Sequence, residues 1–201
     1  AHLDDDNGTQ SGSAYLFELG TGQQIAKLLP TDGAAEDYFG LSVAISDTLA
    51  VVGAVRNDDN GFNSGSAYLF DVVTGQQLMK LLPGDGSAGD HFGQSVAISG
   101  TTVIVGAYFD GDSGPQSGSA YLFDAGSGQQ IAKLLPGDGS AGDYFGSSVA
   151  ISGTAAIVGA QYDDDHGTNS GSAYLFDLAT AQQYAKLIPG DGTASDLFGH
   201  S

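Results

Sequence analysis

The chain has 201 residues, no cysteine, and 24 acidic residues against five basic ones, for a formal net charge of −19. Phosphate contacts need Lys and Arg, so this balance excludes nucleic acid as a partner and disfavours an anionic membrane surface. Without cysteine there is neither a disulfide framework nor a thiolate metal site. No apolar run approaches the roughly 18 residues of a membrane helix, so membrane insertion is not expected. The opening AHLDDDNG does not read as a signal peptide, as would also hold for a mature or excised fragment.

The chain repeats itself. SGSAYLF begins at Ser11, Ser64, Ser117 and Ser170; FG pairs open at Phe39, Phe92, Phe145 and Phe198; GA pairs open at Gly53, Gly106 and Gly159; and every step is 53 residues. Lys27, Lys80, Lys133 and Lys186 keep the same step, so four of the five basic residues occupy one repeat position. The register divides the single array 1–201 into a partial unit 1–37, whole units 38–90, 91–143 and 144–196, and the start of another at 197–201.

The elements of one unit follow in chain order. FGQSVAIS alternates and is rich in β-branched residues, which predicts a strand over Ser95–Ser99. A GT turn leads to Thr102–Ala107, a second strand apolar enough to be buried on both faces. After a polar loop, Ser119–Asp124 is the third strand, AGSG turns the chain, and Gln129–Leu135 is the fourth. The fold class expected is all-β: tandem four-stranded antiparallel blades with a 53-residue repeat, a β-propeller or part of one.

The order FG…SVAIS…VVGA…SGSAYLF resembles the FG-GAP repeats of integrin α-subunit propellers, and more closely the bacterial FG-GAP repeats that read FGxSVAISG…VGAxxDDDxGxxSGSAYLF. The resemblance covers nearly the whole chain. It implies blades of four antiparallel strands, usually seven around an axis, and an extracellular or cell-surface adhesion or binding module of bacterial type. The register holds three whole blades plus two strands of another, which leaves open sheet edges. A window on a longer array, edge-to-edge pairing of copies into a ring or filament, and a closed four-blade form all fit that count.

In an up-and-down blade the second-to-third loop and the blade-to-blade loop share one end, and 19 of the 24 acidic residues fall in those loops. That acidic face is the expected binding surface for a protein or glycan ligand, set against the plain fact that Asp and Gly are good turn formers. Its sharpest motif follows GA: DDDNG, NDDNG, DGDSG and DDDHG. Oxygen-bearing side chains hold the first and third positions in every copy, at Asp4 and Asp6, Asn57 and Asp59, Asp110 and Asp112, and Asp163 and Asp165. Such oxygen-rich, Gly-turned loops suit Ca²⁺, the cofactor expected. No distal bidentate Glu follows, however, and the integrin pattern places its calcium loop between FG and GAP, where this chain has no room for one. The family's ligand set therefore does not carry over. Asp37, Asp90, Asp143 and Asp196 each stand two residues before the Phe of FG and are expected to bond backbone N–H groups at the blade junction. Phe39, Phe92, Phe145 and Phe198 are expected to fill the space between blades.

No catalytic constellation is visible. The four histidines fall at unrelated repeat positions, and no G-x-S-x-G, HExxH or P-loop is present. The expectation is a non-catalytic module. The alternatives are a structural protomer that self-associates through open edges and a lectin that stacks sugars on Tyr15, Tyr68, Tyr121 and Tyr174, residues whose mid-strand position favours core packing.

Overall fold

Fourteen β-strands make up the regular structure of the computed structural model, which describes residues 1–201. The partial unit contributes β1 (Ala14–Phe17) and β2 (Gln24–Leu28). The second unit contributes β3 (Phe39–Ser46), β4 (Leu49–Ala54), β5 (Ser66–Asp71) and β6 (Gln77–Leu81). The third contributes β7 (Phe92–Ser99), β8 (Thr102–Ala107), β9 (Ser119–Asp124) and β10 (Gln130–Leu134). The fourth contributes β11 (Phe145–Ser152), β12 (Ala155–Ala160), β13 (Ser172–Asp177) and β14 (Gln182–Leu187). Each whole unit is one four-stranded antiparallel meander, and β1 pairs only with β2. The sheets form an open series of blades rather than a closed ring.

The second and third strands begin and end where their patterning predicts. The first strand is longer than expected, starting at Phe92 rather than Ser95, because Phe92 still pairs with Ala107 across a register shift. The extra residues are a bulge at Gly93, whose φ of 92° suits glycine. The fourth strand is one residue shorter at each end than predicted.

Packing between blades explains the FG pair. Phe39, Phe92 and Phe145 are fully buried, whereas Phe198 is 37% exposed. Phe92 belongs to a cluster that joins Val51, Leu69 and Leu81 of one blade to Val103, Tyr121 and Phe123 of the next. Burying a Phe ring this way is worth about 2–3 kcal/mol. The backbone locks the same seam: Phe92 N donates to Ser64 O at 2.9 Å, and Gly65 forms a parallel bridge with Phe92. The Ser95 hydroxyl donates to Gly146 O of the following blade at 2.8 Å. The first strands β3, β7 and β11 pack against one another, while the fourth strands form the outer edges.

Candidate functional site

The loop after GA is shaped by its own hydrogen bonds. Asp110 N donates to Ala107 O at 3.1 Å, Gly118 N returns to Asp110 O at 2.8 Å, and Asp112 N donates to Asp110 Oδ1 at 3.3 Å. The Ser117 hydroxyl accepts from Ser113 N at 3.1 Å, and Gly114 turns the chain with φ 131°. These bonds bury Asp110 and bring its carboxylate and that of Asp112 to one side.

What those carboxylates face is a lysine. Lys133, on β10, places its ammonium 2.7 Å from Asp85 and 3.0 Å from Asp110, and pairs with Asp112 as well. Asp85 comes from the loop that closes the preceding blade, so the cage spans a blade junction. Beneath it lies Tyr121, with Nζ 5.0 Å from the ring centroid. The Tyr121 hydroxyl donates to Asp110 Oδ2 at 2.6 Å and lies 3.0 Å from Asp85 Oδ1. The next cage repeats this arrangement, with Lys186 at 2.7, 3.0 and 2.5 Å from Asp138, Asp163 and Asp165. In the second unit Lys80 meets Asp32 at 2.7 Å, the Asn57 side-chain amide oxygen Oδ1 at 3.2 Å, and Asp59. In the partial unit Lys27 has only Asp4, at 3.1 Å, and Asp6.

The titration of these groups follows from that geometry. Burial by itself would depress Lys133, but its bonds to Asp112, Asp85 and Asp110 outweigh burial and hold the ammonium above its ordinary 10.5. Burial opposes ionisation of Asp85, yet Lys133 and Tyr121 together keep it below the usual carboxylate value. Tyr121 is driven far up by burial and by Asp110 and Asp85, so it stays a neutral hydrogen-bond donor.

All eight residues expected to ligate metal therefore lie in lysine cages. Each cage lysine pairs with two or three of these carboxylates, so an ammonium and a metal ion would compete for the same oxygens. The 53-residue step of Lys27, Lys80, Lys133 and Lys186 is the sequence signal for this pairing, since a cation recurs with every acidic loop.

The four junction aspartates turn inward on their own loops. Asp90 accepts from Ser87 N at 2.6 Å, Asp143 from Ser140 N at 2.7 Å, and Asp196 from Thr193 N at 2.7 Å. Asp37 accepts from Ala34 N at 2.8 Å and from the Asn57 amide at 3.3 Å. Burial, reinforced by the neighbouring Asp163 and Asp164, pushes Asp143 up to about 6. The tyrosines suggested as sugar platforms are not available for stacking: Tyr68, Tyr121 and Tyr174 are fully buried, and Tyr15 lies half-buried under Lys27. Their rings are the floors of the cages.

The family model described as FG-GAP repeat matches residues 23–70, 76–123 and 129–176, and the chain belongs to that family. Among curated proteins none matches. Of solved structures, the computationally designed Ika8 protein is similar at 22% identity with a TM-score of 0.59, over 94% of this chain and 49% of that one. The computationally designed Ika4 protein is similar at 21% identity and a TM-score of 0.54, over 87% of this chain and 86% of that one. The chain thus spans about half the length of Ika8, and both likenesses concern the fold.

Proposed function

We propose that the chain is a non-catalytic, extracellular FG-GAP propeller module that presents a rigid, acidic loop surface to a protein or glycan ligand. The observation that carries this reading is the lysine cage, which ties the second-to-third loop of each blade to the closing loop of the blade before it. Loops held by a scaffold are where repeat proteins carry function. FG-GAP repeats typically occur in extracellular, non-catalytic proteins, and no helix is long and apolar enough to cross a membrane. The lysines, in this reading, supply the countercharge that the sequence pattern suggested for Ca²⁺. The test is a glycan array run beside a panel of basic proteins, with labelled chain at physiological salt. Saturable binding that Lys133→Met weakens supports the reading, and a uniformly blank result overturns it.

A second reading, assembly through open edges, is favoured by one feature. An apolar recess of about 440 Å³ lies between the two-stranded half-blade and β3, lined by Leu16, Phe17, Val43 and Ile45. Of these, Phe17, Val43 and Ile45 are more than half exposed. Light scattering across a concentration series tests it, and a mass that stays at one chain counts against it.

A further inference from the structure

In a chain of near-identical units, the places where the units differ are informative. Four repeat positions flank the invariant FG and GA pairs and vary sharply. Immediately before FG stand Tyr38, His91, Tyr144 and Leu197; immediately after it, Leu41, Gln94, Ser147 and His200. After GA come His2, Val55, Tyr108 and Gln161, then Leu3, Arg56, Phe109 and Tyr162. Backbone bonds bring the two sets together across each blade, Arg56 N donating to Asp37 O at 3.2 Å and Phe109 N to Asp90 O at 3.3 Å.

They converge on a cleft of about 200 Å³, every lining residue of which comes from these four positions. Arg56 lies on the Tyr38 ring, its guanidinium carbon 4.2 Å from the centroid. His91 stacks on Phe109 with centroids 4.7 Å apart and planes 22° from parallel. The His91 Nδ1 atom is 3.1 Å from the Tyr108 hydroxyl. From there a file of rings continues across the next blade, Phe109 to Tyr144 at 5.1 Å and Tyr144 to Tyr162 at 4.7 Å. All these aromatic side chains are half-buried, so each keeps a surface open to solvent.

The charge at this place is equally distinctive. Every ion pair of the chain is made by one of the four cage lysines, and Arg56 is the one basic side chain not committed to a carboxylate. It sits beside the His91 imidazole, the Gln94 amide and the Tyr108 hydroxyl, while the Tyr38 hydroxyl donates to the Gln10 side-chain oxygen at 2.9 Å. Aromatic faces take the C–H faces of sugar rings, and a guanidinium takes a carboxylate with two parallel hydrogen bonds. We propose that this cleft is a binding site for an acidic sugar, a uronate residue whose ring stacks on the Tyr108 side while its carboxylate meets Arg56, with neighbouring sugars running along Tyr144 and Tyr162. The negative field of the whole chain is screened beyond about 8 Å at physiological salt, so the short Arg56 contact decides recognition. The site deepens the reading of the chain as a binding module and rests on it.

The experiment is an amide NMR titration of the full chain in 0.15 M salt with trigalacturonate and, separately, with neutral galactotriose. The expected result is saturable shifts at Tyr38, Arg56, His91 and Tyr108 with trigalacturonate, and at least tenfold weaker binding of galactotriose. Arg56→Gln, at a half-exposed position, should weaken trigalacturonate at least tenfold and leave galactotriose unchanged; Tyr108→Ala should weaken both. Equal affinity for the two sugars, or an Arg56→Gln variant that binds trigalacturonate as the parent does, overturns the proposal. So do shifts confined to the Asp loops, which would leave the module reading standing with another site. A silent titration together with a blank array overturns both.

Discussion

Lys133 and Asp85 stand 48 residues apart on different blades, and their side chains meet at 2.7 Å. That contact is repeated by Lys80 with Asp32 and by Lys186 with Asp138. It makes the lysine a clamp between blades rather than a surface charge.

Removing one clamp should leave its carboxylates without a partner. Lys133→Met strands the buried Asp110 beside Asp85 and Asp112. The expected loss is about 2–3 kcal/mol, at the low end for an ion pair because the cage rim is wet. Urea unfolding measures it. Adding Asp110→Asn to Lys133→Met should recover part of the loss. Lys27→Met should cost clearly less, since Lys27 has no partner from a preceding blade. Equal losses at the two lysines would contradict the clamp.

If ammonium is the resident cation, added metal has little to gain. After EDTA treatment, Ca²⁺ should leave the melting temperature where Mg²⁺ at matched ionic strength leaves it. A rise specific to Ca²⁺ would mean that the folded chain binds the ion and that the lysine gives way.

Two pH dependences have opposite signs. Asp143 is raised in the folded chain to about 6, from an ordinary 3.8, so between those values the native state holds the extra proton. Stability through this group is therefore greater at pH 4 and declines as pH rises through 6. Asp143→Asn should remove that slope in a comparison of urea midpoints at pH 4.5 and 7. Asp85 and Asp163 are depressed, so what they contribute is present above pH 3.8 and is lost as pH falls below it. The raised Lys133 and Lys186 contribute fully below pH 10.5, and that contribution is lost as pH climbs through their higher folded values.

Two glycines of one unit separate strain from clash. Gly118 has φ 84°, and a Cβ there would overlap the Phe145 carbonyl of the next blade; Gly142 has φ 89° but open space around it. Gly142→Ala should cost about 1 kcal/mol from backbone strain alone. Gly118→Ala should cost more than about 3 kcal/mol, because the seam must open. Thermal unfolding of the two variants, run side by side, distinguishes these outcomes.

Most of the fold was legible because its signals are local. Thr102–Ala107 reads as a buried strand from its own apolar run, and Ser119–Asp124 from its alternation and flanking turns. The start of the first strand at Phe92 was not legible, since the pairing of Phe92 with Ala107 survives only across a bulge that alternation does not reveal. Of the candidate sites, the acidic loops were visible as spacing, but spacing does not show what their carboxylates face. Asp110 and Asp112 read as ligands for a cation, and what spacing does not show is that Lys133, from a strand more than 20 residues later, pairs with both.

By itself the sequence determined the repeat, its 53-residue step, the four strands of each blade and the membership in the FG-GAP repeat family. Those properties rest on period and alternation, which can be read along the chain without knowing how its units pack. Only the tertiary structure decided that Lys133 closes on Asp85, that Tyr121 is a cage floor rather than a sugar platform, and that Tyr38, Arg56, His91 and Tyr108 share one cleft. Each of these depends on how far one blade is turned and set against the next. That packing is settled by the buried Phe, Gly and backbone contacts of the seam acting together, not by any residue pattern along one strand.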